Sequence, residues 1–434
     1  MSLLGCENMD AVIRREKLIE KSKVREVFTP FSPVHKSELL SGREAEILSV
    51  ISSINTPGQH ALIYGNRGIG KSSLANVIAE IAKDALNYSV YIKKCSTDDS
   101  FMSIISEVLE KVVIDVRCAE SVQEHSETSG AKIGVALFGL NIGSNKKKTE
   151  RISHDMQFSS PSWTAKALKD KRSLLIIDEA DVLNGEHEKL KLAEFIKHLS
   201  DYESLLKVLV VGISSTGRDL ICNHRSVERC VHEVSLQPIG VMALKSIVEK
   251  GADKLGLFFD NDVIDDIVDV SGGYPHFVHL IALKCAEEAI FEGVKQVVSA
   301  DLNKALISAA KVSEGSLKRS YEEAIKKNTE NSKKVLLAAS LCHPKGFLVS
   351  ELVEMVNEAI DPALGKSTIT SCLSRWIKNS ELNVIVKIER GHYRFSDPRF
   401  MSYVKMISGF TYDKGSVVAD ILKHEFSKRY VSDH

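Results

Sequence analysis

An α/β fold is what the sequence predicts: a parallel-sheet core with a glycine-rich turn at one edge, then a helical segment, then three helices and a wing. Three observations carry this. HALIYGNRGIGKSSLANVIAEIAK, residues 60–83, runs from a short apolar strand through a glycine-rich turn into an amphipathic helix. KRSLLIIDEADVL (171–183) and LKVLVVGIS (206–214) hold continuous apolar runs, the pattern of strands buried on both faces of a parallel sheet. From about residue 236 the periodicity changes to that of helices, in GVMALKSIVEKGADKLG, DNDVIDDIVDVS and HFVHLIALKCAEEAIFEG.

In chain order, the first chemistry lies in the glycine-rich turn. Gly65, Asn66, Arg67, Gly68, Ile69, Gly70, Lys71, Ser72 and Ser73 fit GxxxxGK[S/T] between a strand around Ala61–Tyr64 and a helix from about Ser72. The glycines let backbone N–H groups turn inward on phosphate oxygens, Lys71 neutralises the β and γ charge, and Ser72 offers a hydroxyl to magnesium. This is the order needed for a phosphate-binding loop, and ATP is its expected ligand. The LLIID strand then delivers Asp178 and Glu179 at its carboxyl end, where open α/β sheets bind ligands. Asp178 is expected to hold Mg2+ through water, and Glu179 to orient and deprotonate the attacking water. Ser214 and Ser215 end the third strand, beside the acidic pair, within reach of the γ-phosphate or the lytic water; serines also open turns.

The chain of 434 residues suits two or three domains. With 57 Lys and Arg against 58 Asp and Glu the net charge is −1, so affinity for nucleic acid must come from a local basic patch. Eight scattered cysteines, with no CxxC pair and no metal-ligand spacing, read as reduced residues of a cytoplasmic protein. No uncharged run approaches the ~18–20 residues that span a bilayer, so no membrane partner is expected.

The motifs LLSGREAEI, LLIIDEAD, VVGISS, HRSVERC and SGGYPHFVHLIALKCAEEA, in that order, resemble the AAA+ ATPases, particularly their origin-recognition and initiator-like branch, close to bacterial and archaeal STAND-like ATPases. The resemblance covers about residues 37–310 and implies a P-loop NTPase core with a helical lid. It implies that Arg229, just ahead of the last core strand, is an arginine finger acting on a neighbour's ATP, so that the chain forms a homo-oligomer with ATP sites at subunit interfaces. Arg225 is the alternative finger, and His224 reads as a surface or capping residue. It also implies a phosphate-sensing role for Ser214. The chain departs from the family at GGYPH: His276 stands where many members have a lid arginine, and Gly273 with Pro275 is similar to the STAND lid motif that packs on the nucleotide. Pro275 and His276 are therefore expected nucleotide contacts, and a slow switch is expected in place of a fast motor.

An N-terminal helical arm is expected over 1–36, the ATPase core over 37–235 with an insertion at about 119–162, the lid and linker over 236–330, a winged helix over 331–408, and a helical tail over 409–434. The insertion reads either as a β-hairpin reaching a partner or as a flap buried on the core; its basic run is Lys146, Lys147 and Lys148. In the third winged helix Ile369, Leu373 and Trp376 face the core at helical spacing, which turns Thr368, Ser371, Arg375 and Lys378 outward. Arg390, Arg394 and Arg399 lie around the wing as candidate phosphate contacts. DNA and a protein effector both remain open as the partner of this surface.

Overall fold

The computed structural model describes residues 23–35, 40–106, 108–110, 159–214, 227–378 and 384–408. The expected insertion with Lys146–Lys148, together with Ser215, His224, Arg225 and the tail, lies outside them. The chain divides into two compact units, one of Val34–Gln237 and one that joins residues of 1–33 to those from Pro238 onward.

The first unit is a five-stranded parallel sheet in the order β2-β3-β4-β1-β5, with β1 His60–Gly65, β2 Ser89–Lys94, β3 Ser173–Asp178, β4 Leu206–Gly212 and β5 Val231–Leu236. Every residue of β3 and β4 is buried, as their unbroken apolar runs require, whereas the edge strands β2 and β5 are only partly buried. Flanking helices are α1 Glu44–Asn55, α2 Lys71–Asp84, α3 Pro161–Leu168 and α4 Glu186–Asp201. Phe101 and Phe195, both fully buried, meet edge to face at 5.5 Å on one side of the sheet. All five strands run the same way, so their carboxyl ends share one edge: Tyr64 pairs with Gly212, and Ile177 with Val210.

The second unit begins with α5 Val241–Leu255, α6 Asn261–Ser271, α7 Pro275–Glu292, α8 Ser299–Val312 and α9 Gly315–Ile325. α7 is buried on most of its circumference, and so it is the centre of this bundle. Then come α10 Thr329–Leu341, α11 Val349–Ala359 and α12 Lys366–Lys378, with strands β6 Phe347–Leu348, β7 Ile385–Glu389 and β8 His392–Phe395 in a three-stranded antiparallel sheet ordered β6-β8-β7. The last described helix, α13 Arg399–Ile407, is buried from Arg399 to Met406.

α13 explains why the boundary expected at 330/331 does not separate compact units. It packs on α6, α8, α9 and α10 together. Ser402 Oγ donates to the Ser271 carbonyl at 2.9 Å, and Lys405 Nζ lies 3.4 Å from the Asp269 carboxylate. Arg399, placed by the sequence reading among the phosphate contacts, is instead 5% exposed, with Nη1 2.7 Å from Glu314 and Nη2 2.6 Å from Asp397. A buried guanidinium needs such carboxylates, and removing one partner of a buried pair costs about 3–5 kcal/mol.

Arg375 is the second correction. It does not face outward: Nη2 donates to the Ala324 carbonyl at 3.2 Å and to Ser332 Oγ at 2.6 Å. Ala324 lies in the last turn of α9, where carbonyls lack intrahelical partners. Arg375 and its neighbour Trp376, whose Nε1 donates to the same carbonyl at 3.0 Å, cap that helix end. Ile369, Leu373 and Trp376 are buried.

Candidate active site

The carboxyl edge of the sheet is built from four strand ends. β1 ends at Gly65, whose φ of 148° and whose place 2.8 Å (for an added Cβ) from the Leu236 carbonyl admit no side chain. The loop turns through Gly68 and Gly70 at φ 75° and 99° and opens directly into α2, so its last N–H groups stand at a helix N-terminus. Ile69, fully buried, anchors the loop from below, while Asn66 and Arg67 are exposed above it. The Lys71 ammonium is 3.0 Å from the Gly65 carbonyl and 2.9 Å from that of Asn66, which holds it across the mouth of the loop. Ser72 is half-buried at the next position. Ser73 Oγ accepts the Val34 N–H at 3.0 Å, and Asn76 donates to the Val34 carbonyl at 3.3 Å, so a preceding strap is pinned to α2.

Two strands away, Asp178 ends β3 with its carboxylate nearly buried and its Oδ1 accepting the Glu179 N–H at 2.9 Å. Glu179 has φ 56°, a left-handed conformation uncommon for a residue with a side chain, and this turns its carboxylate out of the strand direction. That carboxylate lies 3.2 Å from the Lys94 ammonium at the end of β2, where Lys94 is in register with Asp178. Both partners are largely exposed, so the pair contributes at most about 1 kcal/mol and is easily exchanged. Between the P-loop strand and the acidic strand runs β4; Ile213 N–H donates to Asp181 at 2.7 Å, which fixes the strand end from which half-buried Ser214 follows.

The structure therefore gathers Gly65 through Ser73, Asp178, Glu179 and Ser214 at one edge. Arg229 is at the other. It sits two residues before β5, in a turn closed by Cys230 N–H to the Val227 carbonyl, beside the start of β1. Its side chain is 73% exposed, with Nη2 3.5 Å from Asp201 at the end of α4; the Asp201 carboxyl is held below its ordinary range chiefly by its hydrogen bond from Lys197. Pro275 and His276 open α7 in the second unit, where His276 Nδ1 meets the Pro30 carbonyl at 2.8 Å. His279 is buried, accepts the Thr29 N–H at 3.3 Å and is packed against Phe28. Arg390 and Arg394 are exposed on the wing; Lys378 ends α12, and its side chain lies outside the described residues.

Two residues of this edge were not singled out by sequence reasoning. Lys94 has no motif; only the β2–β3 register brings it to Glu179. Arg43, within the quoted LLSGREAEI, is 4% exposed and bonded to the P-loop carbonyl of Ile69. A charged residue ahead of an apolar helix gives no sign of burial.

Residues 40–281 match the family model described as an ATPase domain predominantly from Archaea. No curated protein matches the chain. Similar solved structures include a Walker-type ATPase of Pyrococcus abyssi, at 16% identity over 87% of this chain and 99% of that one, with a TM-score of 0.46. The ORC1 protein of Aeropyrum pernix, solved in complex with DNA, shares 17% identity over 88% of this chain and 96% of that one, with a TM-score of 0.44. The ORC2 protein of the same organism, solved in ADPNP–ADP complexes, shares 14% over 93% and 98%, with a TM-score of 0.47.

Proposed function

Because the chain belongs to this family of ATPase domains, found predominantly in Archaea, we propose that it is a slow ATP-driven switch whose catalytic site is completed by a second copy of itself. The observation that carries this is the position of Arg229. β5 is six residues long and parallel to β1, so the sheet separates Arg229 from its own P-loop by about 20 Å. An arginine side chain does not reach across that distance, and its exposure leaves it available to the γ-phosphate bound by a neighbour.

In this reading the P-loop N–H groups and Lys71 hold the triphosphate. Ser72 by its hydroxyl and Asp178 through water would hold Mg2+, which would neutralise phosphate charge. Glu179, released from Lys94, accepts a proton from the water, and Ser214 contacts the γ-phosphate. The guanidinium of the neighbour's Arg229 stabilises charge developing on the transferred group. In the helical lid, His276 follows Pro275 at the place where a lid arginine is common, and it supplies no guanidinium. Hydrolysis is slow for that reason, and nucleotide state governs assembly and engagement of a protein effector.

A protein partner is favoured by the outward face of α12. Ser367, Ser371 and Ser374 are exposed there, Arg375 is turned inward, and Lys366 is the one exposed cation among the described side chains of that helix. Duplex DNA is the second reading, supported by exposed Lys387, Arg390 and Arg394 on the wing.

The deciding measurement is ATP turnover per protomer against protein concentration, with and without duplex DNA, for the native chain and Arg229→Ala. Turnover should rise with concentration and fall by about 10³–10⁵ in the variant. Turnover that is flat with concentration and untouched by the substitution defeats the shared site, and a salt-sensitive rise with DNA moves the partner assignment to the duplex.

A further inference from the structure

Among the described residues of the ATPase unit Arg43 is the most enclosed guanidinium, and its partners are not those of an ordinary ion pair. Nη1 is 2.6 Å from Glu46, but Nη2 reaches two backbone carbonyls, Ile69 at 3.2 Å and Gln237 at 2.7 Å, while Nε is buried with no partner. Carbonyls could have been satisfied by neutral donors at far smaller desolvation cost. What a buried arginine adds is a rigid fork that spans separate acceptors and holds them at fixed separation.

The acceptors are informative. Ile69 is the P-loop residue before Gly70 and Lys71. The Ile69–Gly70 peptide is trans, so its C=O and N–H point in opposite directions. Arg43 takes the carbonyl from the buried side, which aims the Gly70 N–H outward into the mouth of the loop. Gln237 is the final residue of the compact ATPase unit, immediately after β5. One guanidinium nitrogen thus ties the phosphate loop to the point where the chain leaves the core.

We propose that Arg43 is the positioning residue of the phosphate cradle: it fixes the Ile69–Gly70 peptide in its anion-binding orientation and links that peptide to the Gln237 exit. It touches no nucleotide, and the proposal rests on the P-loop being the ATP site. Lysine cannot replace it, since a single ammonium lacks the fork. Glu46 serves only to balance charge.

Calorimetric titration with Mg2+ and ADP, on full-length chains shown to be folded by circular dichroism, tests this without recourse to turnover or assembly. Loss of a charged hydrogen bond that orients the loop should weaken ADP by about 10- to 100-fold in Arg43→Lys. Arg43→Ala should be weakened at least as much and regain affinity in millimolar methylguanidinium, a recovery that a general packing defect would not show. Glu46→Gln should bind within about two-fold of the native chain, because both carbonyl bonds remain. Native ADP affinity in a folded Arg43→Lys chain overturns the proposal, as does Arg43→Ala affinity that methylguanidinium leaves unchanged. If neither Arg43 variant folds, Glu46→Gln decides: native affinity supports the carbonyl bonds as the cause, and a ten-fold loss refutes them. A native chain that does not bind ADP overturns this inference and the ATPase site together, whereas failure of Arg43→Lys alone leaves the site intact.

Discussion

His60 and His279 each accept a backbone N–H on Nδ1, from Val208 at 3.1 Å and from Thr29 at 3.3 Å, in sites closed to water. Burial, aided by Lys207, pushes His60 down to about 3; burial, aided by His276, pushes His279 down to about 4. Both folded values lie below the unfolded value near 6.5, so the unfolded chain binds the extra protons first. Stability is therefore full above about pH 6.5 and falls as pH drops from there toward 4, then toward 3 for His60. Urea midpoints measured from pH 7.5 to 4 should fall, and His279→Gln should flatten part of the slope; a pH-independent midpoint would contradict the buried neutral rings. At this scale the sequence is legible where chemistry is contiguous. Gly65 to Ser72 and Asp178–Glu179 are recognisable because each motif holds its groups within a few consecutive residues. Arg375 and Arg43 are not, because their partners, Ala324 and Gln237, lie 51 and 194 residues away in the chain.

Among the elements, the strands β3 and β4 are readable as unbroken apolar runs and α5 and α6 as amphipathic periods, whereas α7, expected to be amphipathic, is buried on most of its circumference. The N-terminal strap is less readable because its fit depends on a glycine in another element. Phe28, 1% exposed, lies against Gly251 of α5, Phe259 and His279, and Arg25 pairs with Glu287 of α7 at 2.9 Å. A Cβ at Gly251 would stand 2.3 and 2.4 Å from the Phe28 ring. Helix propensity alone would make Gly251→Ala stabilising by about 1 kcal/mol. Displacement of the ring should outweigh this and leave the substitution destabilising by about 1–3 kcal/mol in urea unfolding. Adding Phe28→Ala to it should then cost less than Phe28→Ala costs the native chain, and strict additivity of the two would refute the contact.

At the scale of the molecule, the change at 237/238 follows a visible shift from strand to helix periodicity. The continuity across 330/331 is not visible, because it rests on the tertiary packing of α13. Truncation after residue 330 would strip α6, α8 and α9 of that helix and leave Glu314 and Asp269 without Arg399 and Lys405. The truncated chain should aggregate or melt well below the full chain in differential scanning calorimetry, and a truncated chain with native melting would show that the segment is separable. α13 also bears on how an outside molecule would be felt. Its Ser402 rests on the Ser271 carbonyl, one residue before the glycine pair of the GGYPH turn. Phe400 of the same helix meets Phe395 of the wing at 5.7 Å, so one helix touches both the wing and the turn at the head of α7.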